Sequence, residues 1–221
     1  MKNTTHLILG MLALTFGMEV KAQIQLPSVF SDGMVLQQNS KVAVWGWGNP
    51  SETLMILSEW NPGDTVRTVV DNQGRWKAEV PTGRAGGPYT LEVKGGNDSR
   101  KLSDVMLGEV WLCSGQSNME WSANMGIMNG EQEVKQAASP SVRIFHNPKQ
   151  GADTPQTDCR TKWEVLLPKY ARATAYFFAR YLTEHLKVPV GILVSAWEVH
   201  RLKCGHRPKS WKKMRYFRRI N

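Results

Sequence analysis

The sequence predicts an antiparallel β-sandwich followed by the first part of a three-layer, doubly wound α/β domain. Three observations carry this reading. From Leu26 to about Gly108, short apolar runs alternate with Gly, Asn and Pro turns at regular spacing, as in a small all-β unit. Between Arg172 and Lys187 apolar residues recur at helical spacing, and Val190 to Trp197 is almost continuously apolar, as a strand buried on both faces requires. Between the two patterns, the apolar run Val110 to Cys113 ends in Ser114-Gly115-Gln116-Ser117, placing a serine just past a strand end.

The elements follow in order. Lys2, the apolar core Leu7 to Met18 and the small-residue site Val20-Lys21-Ala22 read as a signal peptide over 1–22, so an exported chain starting at Gln23 is expected, with no membrane contact after cleavage. The apolar core is too short to span a bilayer as a stable helix. Residues 23–108 form the β unit. Met34 to Leu36 and Val42 to Trp47 are apolar, and Gly48-Asn49-Pro50 breaks the second run. Thr65 to Val70 is β-branched, and Asp71-Asn72-Gln73-Gly74 turns it into Arg75 to Val80. There Trp76, Ala78 and Val80 face one way and Arg75, Lys77 and Glu79 the other. Tyr89, Leu91 and Val93 share a face between the breaks Gly86-Gly87-Pro88 and Gly95-Gly96-Asn97-Asp98. Trp45, Trp47 and Trp76 either fill the space between two sheets or form a platform for sugar rings.

Residues 109–197 begin the α/β unit. Met119 to Met128 is ambiguous because Gly126 weakens a helix. Ser141 to His146 holds a short strand, and Pro148 to Arg160 is loop. On the helix, Ala175, Phe178, Ala179, Leu182 and Leu186 form the apolar face, with Arg180, Thr183, Glu184 and Lys187 away from it. Strand, helix and strand in that order predict a right-handed crossover.

The net charge of +9 is concentrated at one end. Residues 198–221 hold nine Lys/Arg and one acid, leaving a nearly neutral body, so nucleic acid is not expected as a partner of that body. Cys113, Cys159 and Cys204 give no disulfide framework, and Cys113 reads as a small buried hydrophobe. No spacing suited to a metal occurs, so neither metal nor cofactor is expected.

A serine lifted out of a strand end attacks acyl carbons when a base takes its proton and N–H groups hold the oxyanion. Ser117 is the candidate nucleophile. Gly115 permits the tight turn, and Gln116 and Asn118 are placed to orient or to donate. The run Gly108-Glu109-Val110-Trp111-Leu112-Cys113-Ser114-Gly115-Gln116-Ser117-Asn118-Met119-Glu120-Trp121 resembles the signature of the sialate O-acetylesterase family, which belongs to the SGNH hydrolases. Leu26-Pro27 to Met34-Val35-Leu36-Gln37, Gly86-Gly87-Pro88-Tyr89-Thr90-Leu91, and Ala175-Tyr176-Phe177-Phe178 with Val188-Pro189-Val190-Gly191-Ile192 extend the resemblance to most of Leu26 to Trp197. It implies a flavodoxin-like SGNH domain behind the β unit. It also implies a serine esterase removing O-acetyl groups from sugars, with Ser117 as nucleophile and its N–H in the oxyanion hole.

Departures from the family pattern begin after Trp197, where Glu198 stands in place of Gly-Gly-Thr-Pro. The family's Gln-Gly-Glu segment and its Asp-x-x-His, the source of the general base, have no counterpart. His6, His146, His185, His200 and His206 do not replace it, so no general base is expected in this chain. Codons for Trp197 to Pro208, read from the third base of the Trp197 codon, force one Gly and then permit Gly-Thr-Pro-Ala-Glu-Val-Trp-Thr-Pro. A lost G at the Trp/Gly codons would therefore produce residues 198–221 as an out-of-frame tail. The other reading is a native basic arm, in which Lys209, Lys212, Lys213, Arg215, Arg218 and Arg219 alternate with Trp211, Tyr216 and Phe217. A sheet cut after two or three strands exposes an apolar edge, so a poorly soluble chain is expected. Two functions stay open: an acetylesterase lacking its base and acting on an O-acetylated sugar, or a non-catalytic carbohydrate-binding protein using the β unit.

Overall fold

The computed structural model describes residues 23–123, 125–136, 139–166, 173–196 and 217–219. The expected signal peptide 1–22, Trp197 and residues 198–216 of the basic tail lie outside the described residues. Eleven strands are present among the described residues: β1 (Val35–Gln37), β2 (Lys41–Trp47), β3 (Thr53–Ser58), β4 (Thr65–Val69), β5 (Arg75–Pro81), β6 (Gly86–Gly95), β7 (Asp98–Gly115), β8 (Ser139–His146), β9 (Trp163–Leu166), β10 (Val190–Ala196) and β11 (Phe217–Arg219). The helices are α1 (Gly130–Lys135) and α2 (Ala173–Leu186).

β7 organises the fold. It is 18 residues long and continues through position 108 without a break. Its first half pairs antiparallel with β6, Met106 to Gly108 pair parallel with β1, and Glu109 to Gly115 pair parallel with β10. The sheet order is β4-β3-β6-β7-β10-β8-β9, with β1 and β11 also on β7, while β2 and β5 form a separate two-stranded ribbon. The parallel β1 departs from the purely antiparallel arrangement expected for the N-terminal half. The burial pattern of β7 explains how one strand serves both halves. Half-buried and exposed positions alternate from Asp98 to Asp104, whereas Leu107 to Val110 are buried without interruption. The strand thus passes from a region covered on one face to one covered on both.

The first core lies between the ribbon and the sheet. Val44, Trp76, Ala78 and Val80 of the ribbon pack toward Leu54, Ile56, Leu91, Val93, Val105 and Leu107. The alternation in β5 is as the sequence indicates, with Trp76, Ala78 and Val80 buried and Arg75, Lys77 and Glu79 exposed. Trp76 is in the core, whereas Trp45 and Trp47 alternate with buried Val44 and Gly46 on the opposite face of β2, where Trp45 packs edge-on against the buried Phe30.

The second core surrounds α2, which packs on β10, β8 and the Ser117 turn. β8, α2 and β10 form a strand–helix–strand crossover, with β8 parallel to β10 from Val142↔Val190 to His146↔Val194. Ala175, Tyr176 and Ala179 are buried, but Leu186, assigned to the apolar face, is 49% exposed. The buried face is rotated toward Tyr176, whose ring can be buried because its Oη donates to Glu133 of α1 at 3.2 Å. Arg180 pairs with the same carboxylate, tying α1 to α2. Cys113 is fully buried, and desolvation pushes its thiol up to about 12, in line with its reading as a small hydrophobe.

Three contacts join the halves. Arg143 of β8 binds Asp104 of β7 through both terminal nitrogens at 2.5 and 3.1 Å. Glu109 Oε1 accepts from Gln37 at 3.2 Å and Gln38 at 3.1 Å, while Gln37 Oε1 accepts from the Val110 N–H at 3.0 Å. Asp158 accepts from the Ser28 N–H and hydroxyl, each at 2.9 Å, docking the 147–162 loop on the N-terminal segment. Burial pushes the Asp158 carboxyl up, but bonds from Ser28, Cys159 and Arg160 outweigh it and hold it below the usual range. This docking is therefore complete at neutral pH and weakens as pH falls through the lowered value.

β9 was not evident from the sequence, and its Trp163 shows why it forms. The ring is 6% exposed and lies 5.4 Å from Phe145, while Nε1 donates to Val29 O at 2.8 Å. Trp163→Phe removes this bond and part of the packing. It is expected to lower thermal stability by about 1–2 kcal/mol; an unchanged melting temperature would show that this docking does not stabilise the fold.

Candidate active site

Ser117 follows directly from the pairing of β7 with β10. The register holds from Val190↔Glu109 to Ala196↔Gly115, so β7 runs to its end as a ladder-bonded strand. Gly115 then takes φ +155° and Gln116 is extended. Ser117 takes φ +44°, a left-handed conformation that L-residues with side chains adopt at a cost. A short 3-10 turn, Ser117–Met119, begins there. Its closing bonds are Met119 N–H to Gln116 O at 3.0 Å, and Glu120 and Trp121 N–H to Ser117 O, each at 2.8 Å. Buried Met119 and Ala123 pin the turn into the α2 core. The strain at Ser117 is thus held by packing on both sides, as at functional backbone outliers.

The carboxyl ends of three parallel strands meet at this edge, the usual place for sites in open α/β sheets. Ser114 pairs with Ser195, and Asn147, just past β8, donates from Nδ2 to Ser195 Oγ at 3.4 Å. Glu120, three residues past Ser117, pairs with Lys149 from the loop after β8. Ser195, Asn147 and Lys149 escaped the sequence reading, which held Ser114 and Glu120 only as members of the signature run. Strand-end position, visible once β8 and β10 are aligned, is the signal that finds them.

Ser117 is half-buried, and among the described residues neither its hydroxyl nor its N–H has a hydrogen-bond partner. Gln116 is exposed and makes no capping bond to the turn. Gly115 supplies the bend, and Asn118 continues the turn with its side chain outside what is described. The described histidines stand elsewhere. His146 ends β8, separated from β7 by β10, which puts it about 10 Å from β7 across two strand spacings. His185 near the end of α2 stacks on Tyr181, with its Nδ1 2.8 Å from Tyr181 O. Among the described residues no group of His, Cys, Asp and Glu could hold a metal. The arrangement can present a serine hydroxyl and a backbone N–H together at a sheet edge, the two elements with which acyl attack begins.

Comparison with known proteins agrees. No protein-family profile matches the chain. It is 29% identical over 191 residues to the sialate O-acetylesterase of Mus musculus and 30% identical over 192 residues to that of Homo sapiens. Each match takes in 77% of this chain, but 35% and 36% of the relatives, so the chain spans about a third of their length. The crystal structure of a carbohydrate acetylesterase from Xanthomonas citri superposes with a TM-score of 0.72 at 35% identity, covering 79% of this chain and 40% of that one. With its serine turn set on a parallel sheet, the chain is similar to the sialate O-acetylesterases across three quarters of its own length and about a third of theirs.

Proposed function

We propose that this chain carries the nucleophile of a serine-dependent carbohydrate O-acetylesterase. Ser117 attacks the acetyl carbonyl of an O-acetylated sugar, and its own N–H, with donors from Gln116 or Asn118 beside the bend at Gly115, receives the oxyanion. The observation that carries the proposal is the left-handed Ser117 at the carboxyl end of β7, pinned by Met119 and Ala123. Strain at a hydroxyl-bearing residue on such an edge has a use in nucleophilic attack. The names of the relatives point to acetyl esters of sialic acid or of another carbohydrate as substrates. The proposal includes export through residues 1–22 and a general base that is not among these 221 residues.

Acetate release from O-acetylated sialic acid and from acetylated xylan tests this, together with mass spectrometry of the peptide containing Ser117. The expected result is slow release, well below the roughly 10 s⁻¹ of an ordinary enzyme, with an acetyl group trapped on Ser117. Turnover at the ordinary rate would overturn the assignment of the base. Acetate release with no acetylation of Ser117 would overturn the nucleophile. The better of the two substrates identifies the sugar.

A further inference from the structure

We propose a second carbohydrate site on the outer face of the β2–β5 ribbon, specific for a pyranose bearing a carboxylate. The register places Trp45 opposite Lys77 and Trp47 opposite Arg75, so these four side chains share the face opposite Val44, Trp76 and Ala78. The two indoles meet edge to face, 5.5 Å apart at 80°, and both are half-buried. Together with Arg75, Lys77 and part of Trp76 they line a recess of about 490 Å³, walled by Thr68 of β4 and by Thr157 of the docked 147–162 loop. That volume lies within the range of small-ligand sites, about 300–1,000 Å³.

The chemistry of the recess selects the ligand. Large apolar rings left partly open on a strand's outer face are informative, whereas single exposed aliphatic residues are not. An indole face suits the C–H face of a sugar ring, because the ring is apolar on its axial side and wet at its rim. Arg75 and Lys77 are exposed, and among the described residues neither pairs with a carboxylate. Asp71 also borders the recess, but its Oδ1 accepts the Gln73 and Arg75 N–H groups at 2.8 and 2.9 Å and closes the β4–β5 turn. Two uncommitted cations beside two indoles favour a ring with one negative charge over a neutral ring. Solvated lysines and arginines on a strand face need no ligand on their own; here the indole pair and the wall of Thr157 make the difference. Sialic acid and hexuronic acids share the required chemistry.

The site rests on the esterase reading only for the choice of sugars, and it is separate from Ser117. Calorimetric titration of the chain with free sialic acid, glucuronic acid and glucose tests it, since none of the three carries an ester to hydrolyse. At least one of the acids is expected to bind about tenfold or more tightly than glucose, with Trp47→Ala weakening it by about tenfold or more. Arg75→Gln together with Lys77→Gln, changes on an exposed face that leave the core intact, should remove the preference for acids. Ser117→Ala should leave all three affinities unchanged. Equal binding of glucose, unchanged binding by Trp47→Ala, loss of binding on Ser117→Ala, or no binding by any sugar would each overturn the site. Sialic acid binding without glucuronic acid binding would identify the first as the source of the carboxylate. The opposite result would identify the second.

Discussion

Gly108→Ala is expected to lower the stability of the fold by about 3 kcal/mol, from overpacking together with lost ladder bonds. The position has no positive φ, so the requirement for glycine is one of space. A Cβ there would lie 2.0 Å from Pro189 O and 2.7 Å from Pro189 C, both backbone atoms that cannot rotate away. Relief requires the Pro189 backbone to withdraw, but Pro189 O accepts the Glu109 N–H at 2.9 Å and opens the β7–β10 ladder. Gly108 O accepts the Gln38 N–H at 2.8 Å and closes the β1 pairing, so a shift of β7 instead strains the other neighbour. At roughly 2–4 °C per kcal/mol for a chain of this size, the melting temperature should fall by about 6–12 °C. Gly83→Ala is the control, since nothing lies within 4 Å of its added carbon. Equal melting of the two variants would show that the β7 junction has more room than its geometry implies.

That junction also marks where the sequence became hard to read. Local periodicity was legible: the alternation of Arg75 to Val80, the helix of α2 and the apolar run of β10 all reflect residues whose environment repeats along the chain. The turn at the end of β7 was legible too, because Gly115 and Ser117 adopt conformations imposed within a few residues. β3 carries a readable alternation, with Leu54 and Ile56 buried and Met55 outward, yet it is short and lacks flanking apolar signals. The course of β7 was not legible, because its partner changes partway from β6, its hairpin neighbour, to β1 and β10, which lie far away in the chain. Nor was the placement of Trp45 and Trp47. An aromatic residue on either face of a ribbon looks the same in sequence, and only the register with β5 separates them from Trp76.

Ser117→Gly and Ser117→Ala are expected to abolish both acetyl transfer to residue 117 and acetate release, reducing hydrolysis to background. The two variants should nevertheless differ in stability. The wild-type residue sits at φ +44°, where a Cβ costs about 1–2 kcal/mol relative to glycine. Alanine keeps that Cβ, and the Ser117 hydroxyl has no hydrogen-bond partner among the described residues, so Ser117→Ala should melt with the wild type. Glycine removes the strain but gains freedom in the unfolded chain worth about 0.5–1 kcal/mol. The net expectation is a stabilisation of up to about 1 kcal/mol for Ser117→Gly. A glycine variant less stable than the alanine variant would mean that the left-handed turn is not strained. The case for a position kept at a cost for its hydroxyl would then fail. A more stable, inactive glycine variant would show the trade directly. The chain holds Ser117 in a conformation that folding alone would fill with glycine, and Met119 and Ala123, buried under α2, supply the packing that keeps it there.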